Sequence, residues 1–536
     1  MALAERPAPA QTPVQEEAPR ILAGSTLAVM LATLASMVLG FGREVVNAQY
    51  FGERWELDAF IVAAIIPTLV FGVFNGALVS ALVPIFSDYF SSDKAEEAWR
   101  LSSTVINVLV VVLAFGAFVG WAAAPWIVHL VAKGFPQDHA LETIRMTRIM
   151  MPTIIATSIA GVMQALLNAQ RRYRAAALQG VALNVCTIAV VLLFFRQYGI
   201  YALVFGTAAG LFAQLLVQLP SYFRRCKYRP VIDLRHPGLN SLFVIMGPIV
   251  IGSAVGQVNL LVDKYFGSTL AAGAIAAMQY ATKVVGFPQQ LFAAAIATVL
   301  FPVLSAQFAT KEMPSLRLTA SSGLRMTALI TVPAAVGLIV LARPIISVLF
   351  ERGEFSQGDV VRTAGAMQFY AAGLLGLAAS IVLTRCFFAM RDSRTPVIVA
   401  ACVMVLNVVA CALLVQPYGV NGLAASNSLA SLTEALVLFA LLNRRIGAED
   451  DLIGSCILRV GITSLVMAAA AWGVEALLWH DAGTLFQHAA TLIAAILVGG
   501  IVFVAVGTKL RVRELAKLLA LAANYVGRRA VSAAQT

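Results

Sequence analysis

Charge is scarce in this chain. Only 12% of its 536 residues are Asp, Glu, Lys or Arg, while 60% are hydrophobic and the mean hydropathy is +0.85. A soluble globular chain carries roughly 25% charged and 45–50% apolar residues, so a soluble domain is excluded. Histidine is rarer still. His129, His139, His236, His480 and His488 are dispersed, and none has a Cys or His partner at metal-ligand spacing. The six cysteines (Cys186, Cys226, Cys386, Cys402, Cys411, Cys456) have no paired spacing and lie mostly in apolar runs. They read as small buried residues rather than disulfides or metal ligands. The phosphate-cradling Gly-x-x-x-x-Gly-Lys and the zinc-binding His-Glu-x-x-His are both missing, which argues against an ATP-driven pump or a metallohydrolase. The sequence names no catalytic residue, no metal site and no cofactor. The first 22 residues have no apolar core and are not a signal peptide.

What the chain has is apolar runs long enough to cross a bilayer, about fourteen of them. Short alternating segments typical of barrel strands are absent. The expected fold is an all-α integral membrane protein with about 14 transmembrane helices: two pseudo-symmetric six-helix lobes plus two C-terminal helices. The boundaries read as a disordered cytoplasmic tail at 1–22, an N-lobe at 23–225, a C-lobe at 240–445, helices thirteen and fourteen at 455–508, and a basic cytoplasmic tail at 509–536. The ninth helix is expected as one run over 318–350.

The two lobes are read from a repeat offset by roughly 220 residues. Tyr50-Phe51-Gly52 returns as Tyr265-Phe266-Gly267, and Pro84 as Pro302. Pro125 with Lys133-Gly134 returns as Pro344 with Arg352-Gly353. Asn184 returns as Asn407, Tyr198-Gly199 as Tyr418-Gly419, and Arg224-Arg225 as Arg444-Arg445. Same-direction repeats of this kind build many secondary transporters, with the site between the lobes. Lys and Arg collect after even-numbered helices, which places both termini in the cytoplasm and accounts for the net charge of +11 without nucleic acid.

A charge at membrane depth is costly, so each is a candidate for the transport pathway. Arg43-Glu44 ends the first helix, Asp58 opens the second and Asn75 sits within it. Asp263-Lys264 ends the seventh helix, and Lys283 lies inside the eighth. The competing reading for Arg43, Asp58, Asp263 and Lys264 is interfacial snorkelling or local ion pairing, since all four lie near helix ends. Asn184 and Asn407 recur in both halves and read as hydrogen bonds between helices. Pro84 and Pro302, related by the repeat, are the hinge candidates because proline removes a backbone hydrogen bond.

Several motifs then carry a resemblance. Val38-Leu39-Gly40-Phe41-Gly42-Arg43-Glu44 with Asp58-Ala59-Phe60, Leu349-Phe350-Glu351-Arg352-Gly353-Glu354-Phe355-Ser356, Arg391-Asp392-Ser393-Arg394-Thr395-Pro396 and Gly419-Val420-Asn421-Gly422 stand in order. Together with Gln279-Tyr280-Ala281 and Phe301-Pro302, they resemble the MurJ (MviN) lipid II flippases of the multidrug/oligosaccharidyl-lipid/polysaccharide exporter superfamily. The resemblance runs from about residue 25 to 510. It implies a flippase, not an enzyme, in the bacterial inner membrane. Its cargo would be an undecaprenyl-pyrophosphate-linked glycan of the lipid II type, moved to the outer leaflet by alternating access, with the last two helices forming a groove for the lipid tail.

Such a cargo needs cations to offset its pyrophosphate. Arg43, Lys264 and Lys283, with Asn75, are the substrate-binding candidates. Asp58, Asp263 and Glu44 are the candidates for ion binding or gating, with Na⁺, H⁺ or the membrane potential supplying energy. Partners are the lipid-linked glycan, the bilayer and cell-envelope synthesis proteins. The chain departs from the family's lipid II carriers at Met37, where they have Arg, and at Val70, Phe71 and Gly72, where they have basic residues. Thr282 and Gly286 stand where some members have charges. A flippase for an exopolysaccharide or other surface-glycan precursor is therefore the alternative. A cation-coupled drug antiporter and a non-transporting envelope scaffold are the readings from other classes.

Overall fold

The computed structural model describes the backbone over residues 14–520, except 225, 448–449 and 481–482. Side chains are described there except at 14–28, 69–75, 248, 251–255, 294 and 450–452. Every regular element among these residues is helical. The first half contains α1 (Val14–Phe51), α2 (Trp55–Ser91), α3 (Ala95–Val131), α4 (Gln137–Met150), α5 (Thr153–Ala169), α6 (Tyr173–Ala177), α7 (Gln179–Tyr198) and α8 (Ile200–Phe223). The second half begins with α9 (Pro237–Ser268) and α10 (Ala274–Pro288), a π-helical turn at Gln289–Ala293, then α11 (Ala294–Ala309), α12 (Met313–Val340) and α13 (Ala342–Phe350). It continues with α14 (Gln357–Ala372), α15 (Leu374–Ala389) and α16 (Arg394–Ile446), and ends with α17 (Asp450–Leu478) and α18 (Leu485–Lys509). Among the described residues nine helices are long and apolar enough to cross a membrane, or up to eleven if each of two bent pairs is one span.

The repeat seen in the sequence is present in local geometry. The pairs α4/α5 and α14/α15 bend by 40° and 41°. Gly199 and Gly419 take nearly the same backbone angles, φ 52, ψ −129 and φ 57, ψ −130. Side chains strongly disfavour that region, so glycine is what allows α7 to pass into α8 and α16 to break midway. Asn184 Nδ2 donates to the Ser36 carbonyl at 3.1 Å, and Asn407 Nδ2 donates to Asn259 Oδ1 at 2.6 Å, each joining residues 148 apart. Both asparagines thus bind helix to helix, as expected.

Five helices stop in one way. Asp93, Arg171, Lys311, Arg391 and Arg511 all adopt positive φ just beyond a helix end. In each case the next residue's N–H returns five residues, as from Lys94 to the Tyr89 carbonyl at 2.9 Å and from Asp392 to Phe387 at 2.9 Å. This Schellman closure satisfies carbonyls that the helix end leaves open.

The helices form two compact units whose boundaries differ from the expected lobes. Unit 1 comprises 1–46, 63–124 and 144–251, and unit 2 comprises 47–62, 125–143 and 252–536. The core of unit 1 packs Leu82, Phe86, Leu101, Val162, Leu166 and Tyr222 from α2, α3, α5 and α8. The segment after α8 is tied to the start of α3. Tyr228 Oη donates to Asn107 Oδ1 at 2.6 Å, and Asn107 Nδ2 donates to the Val231 carbonyl at 3.0 Å. Unit 2 centres on Leu304, Leu324, Val382, Phe387, Leu438 and Leu442 from α11, α12, α15 and α16.

Unit 2 also takes the joined ends of α1 and α2, and of α3 and α4, because their polar groups are satisfied there. The Gln49 carbonyl accepts from Glu354 N–H at 2.9 Å, and Gly134 N–H donates to Ser268 Oγ at 3.1 Å. Trp55 stacks on His139 at 4.1 Å. Gly353, at φ 61, lies so close that a Cβ would stand 2.2 Å from the Gln49 carbonyl oxygen.

Three further expectations are corrected. α1 begins at Val14, so 14–22 is helix rather than tail. The Glu16-Glu17-Ala18 run is helix-favouring and extends a helix already nucleated downstream. Residues 1–13 lie outside the described residues. The run expected over 318–350 breaks at Leu341, and α13 forms a separate amphipathic helix that buries Ala342, Ile346 and Phe350. The expected basic tail at 509–536 is helical over 513–520 and buries Glu514 against Arg325; 521–536 lie outside the described residues.

Candidate functional site

The polar interior of unit 2 is a cavity of about 460 Å³ between α9, α10, α14, α15 and α16. Two carboxylates, Asp263 and Glu434, line it, with the amides of Asn259, Asn407 and Asn427. The sequence pattern explains why these meet. Asn407 and Asn427 stand on either side of the Gly419 break, so α16 folds back and presents both to α9. Asn427 Nδ2 donates to Asp263 Oδ1 at 2.9 Å, which orients that carboxylate. The remaining lining is mostly apolar, and its Ser428, Ser431 and Thr282 hydroxyls donate to the backbone carbonyls of Phe369, Gly373 and Met278. Two carboxylates with amide oxygens suit a small hard cation better than an anion. Among the described residues no three His, Cys, Asp or Glu side chains come together to hold a metal ion.

The expected cations fare differently. Arg43 Nη2 lies 3.0 Å from Glu44 Oε1, so the arginine proposed for substrate and the glutamate proposed for gating compensate each other. Both belong to unit 1. Lys264 is buried, with Asp263 and Asp58 as its compensating charges, and so belongs to an internal network rather than to an open surface. Lys283 is exposed on α10, and among the described residues no ion pair engages it. Thr282, its neighbour, and Gly286, one turn on, line the cavity. The side chain of Asn75 lies outside the described residues.

Asp58 has a defined partner. It accepts from the backbone N–H of Gly273 at 2.6 Å and of Ala276 at 2.7 Å. That is the start of α10, where unpaired N–H groups and the helix dipole favour an anion. Asp58 therefore anchors the helix that carries Lys283. Tyr280, on the same helix, donates to the Gly52 carbonyl at 3.3 Å and packs on Phe350 and Phe355.

Pro84 and Pro302 lie inside continuous helices, α2 and α11. The one helical irregularity near Lys283 follows Pro288 instead. A proline there cannot donate a backbone hydrogen bond, and the chain widens into the π-helical turn at Gln289–Ala293. Gln289 in that turn lines the cavity.

Sequence reasoning missed Glu53, which looked like an ordinary loop acid between Gly52 and Arg54. Its carboxyl is buried and accepts from the Thr363 hydroxyl. Arg362 Nε stands 3.5 Å from the other oxygen, too far to offset lost solvation. Burial pushes the Glu53 carboxyl up to about 9; Thr363 opposes this, and Asp359 adds to it. Asn427 was also missed, because one amide in an Ala-Ser-Leu helix gives no signal until its partner is known.

Matched bent helices with polar groups held inside them are the build of a secondary transporter. The comparisons make this specific. The family profile described as "Lipid II flippase MurJ" matches residues 47–493. The chain is 31% identical over 424 residues to "Lipid II flippase MurJ" of Burkholderia cenocepacia, covering 77% of this chain and 82% of that one. It is also 31% identical over 450 residues to "Probable lipid II flippase MurJ" of Rhizobium meliloti, covering 82% and 84%. The solved structure "Lipid II flippase MurJ, inward closed conformation" superposes with a TM-score of 0.78 at 25% identity, over 91% of this chain and 100% of that one. An inward-facing multidrug resistance MATE transporter of the MOP superfamily shares the fold, with a TM-score of 0.66 at 13% identity. The chain belongs to the lipid II flippase MurJ family.

Proposed function

We propose that this protein is a flippase that moves a polyprenyl-pyrophosphate-linked glycan of the lipid II type from the inner to the outer leaflet of the bacterial inner membrane. The observation that carries this reading is the family match over 47–493, which includes both copies of the repeat. Lys283 is the cation for the pyrophosphate. It is exposed, no ion pair among the described residues engages it, and Asp58 and Tyr280 hold its helix in place. The diphosphate gains charge-assisted hydrogen bonds there that a bilayer cannot supply. The basic helix ends face the cytoplasm, with both termini on that side. Counting α2 and α9 as spans, each bent pair as one and α16 as two at Gly419 gives fourteen spans.

The coupling ion in this reading is Na⁺, held by Asp263 with the amide oxygens of the unit 2 cavity. The reading is supported by the two carboxylates that line that cavity and by the Asn427 hydrogen bond. Asp263→Asn then abolishes the Na⁺ dependence of transport while leaving membrane abundance unchanged.

A second cargo is favoured by one observation. Met37, Val70, Phe71, Gly72, Thr282 and Gly286 supply no charge at positions where the family resemblance implies charged residues, for Thr282 and Gly286 in some members only. A surface-polysaccharide precursor with the same lipid pyrophosphate meets the same chemistry with fewer cations. Expression in cells depleted of their own lipid II flippase separates the two. Growth is restored if lipid II is carried, and cells lyse if the cargo is another glycan.

A further inference from the structure

A second cavity, of about 190 Å³, lies where the start of α17 meets α12 and the segment following α18. Five cations and one carboxylate line it: Arg325, Arg459, Arg511, Arg513, Lys517 and Glu514. The deepest charges cancel. Arg325 Nε donates to Glu514 Oε1 at 2.6 Å, with both side chains largely buried, and Cys456 Sγ donates to the other oxygen at 3.5 Å. Arg459 is fixed from behind, since its Nη1 donates to the Arg511 carbonyl at 3.2 Å. Arg459, Arg511, Arg513 and Lys517 are exposed, and no ion pair among the described residues engages them. Four cations without a salt-bridge partner among the described residues therefore surround a pocket whose floor is neutral.

Four like charges brought together cost free energy unless an anion joins them. An anion held by arginines in a small pocket is best matched by phosphate, whose oxygens accept from guanidinium forks. The surroundings identify its source. Leu458, Ile462 and Leu465 run along one face of α17 from the pocket, 65%, 45% and 65% exposed. Their spacing makes an apolar stripe beginning beside Arg459. On a membrane-spanning helix this face meets the bilayer, so the pocket opens beside lipid and a phospholipid can set its phosphate there with its chains along the stripe.

We propose that this pocket binds the headgroup phosphate of an anionic phospholipid, distinct from the transported cargo. The test uses the full chain purified in detergent and native mass spectrometry with added phosphatidylglycerol, phosphatidylcholine or inorganic phosphate. The variant Arg511→Gln/Arg513→Gln/Lys517→Gln leaves the Arg325–Glu514 pair intact. Lys311→Gln/Arg391→Gln/Arg394→Gln removes the same charge elsewhere. Wild type and this control retain phosphatidylglycerol, the pocket variant binds it about 100-fold more weakly, and phosphatidylcholine is not retained. Equal retention of phosphatidylglycerol by wild type and pocket variant overturns the site. Retention of inorganic phosphate alone, lost in the pocket variant, overturns the lipid assignment. An unchanged unfolding midpoint of the pocket variant in phosphatidylcholine shows that lost binding is not lost folding.

Discussion

Arg43, Lys264 and Lys283 look alike in sequence, each a cation in an apolar setting, and they end in three different states. Arg43 is paired with its neighbour Glu44, Lys264 is buried among carboxylates, and Lys283 is exposed. Depth could be read from the hydrophobic pattern, but the partners could not, because Asp58 comes from a different helix 206 positions before Lys264. Lys283→Ala is expected to slow flipping about 10- to 100-fold, the loss of one charge-assisted contact, at unchanged membrane abundance. Glu53 offers an independent check by pH. With its carboxyl pushed up to about 9 in the folded chain, against an ordinary 4.5, it keeps a proton that the unfolded chain releases. Its stability contribution is full below 4.5 and is lost as pH rises through about 9. Thermal unfolding of Glu53→Gln between pH 5 and 9 lacks this decline, which in wild type has a slope of at most about 1.4 kcal/mol per pH unit.

Among the elements, the family motifs turn out to be mostly connections. Arg391 closes α15 and Asp392 opens α16, accepting from Thr395 Oγ1 at 2.6 Å and from Thr395 N–H at 3.0 Å. Those bonds, with Arg445, hold the Asp392 carboxyl down at about 2. The motif around Gly353 fastens α13 and α14 to the end of α1 through Glu354 and Gln49. The turn chemistry at 198–199 and 417–419 was legible because glycine has few other reasons to recur there. The break at Leu341 was legible only in part, since Arg343-Pro344 interrupts the apolar run just beyond it but fits a kink within one helix equally well. Gly199→Ala and Gly419→Ala each cost about 1–3 kcal/mol by denaturant unfolding. Neither added Cβ meets an atom within 4 Å, so the cost is backbone strain alone.

For the whole molecule, composition sufficed for fold class, and the offset repeat matches the geometry at the 40° and 41° bends. The unit boundaries were not legible. Residues 47–62 and 125–143 join unit 2 through hydrogen bonds to Ser268, Gly273, Ala276 and Glu354, and hydropathy does not register such contacts. The chain, as a flippase, carries lipid II across the membrane. This activity is tested most directly in cells depleted of their own flippase and expressing this protein, by measuring the fraction of lipid II open to a membrane-impermeant enzyme that cleaves it at the outer leaflet. Wild type is expected to restore that fraction, and Lys283→Ala is not. Lipid II that stays inaccessible with wild-type protein present at normal abundance would contradict this activity.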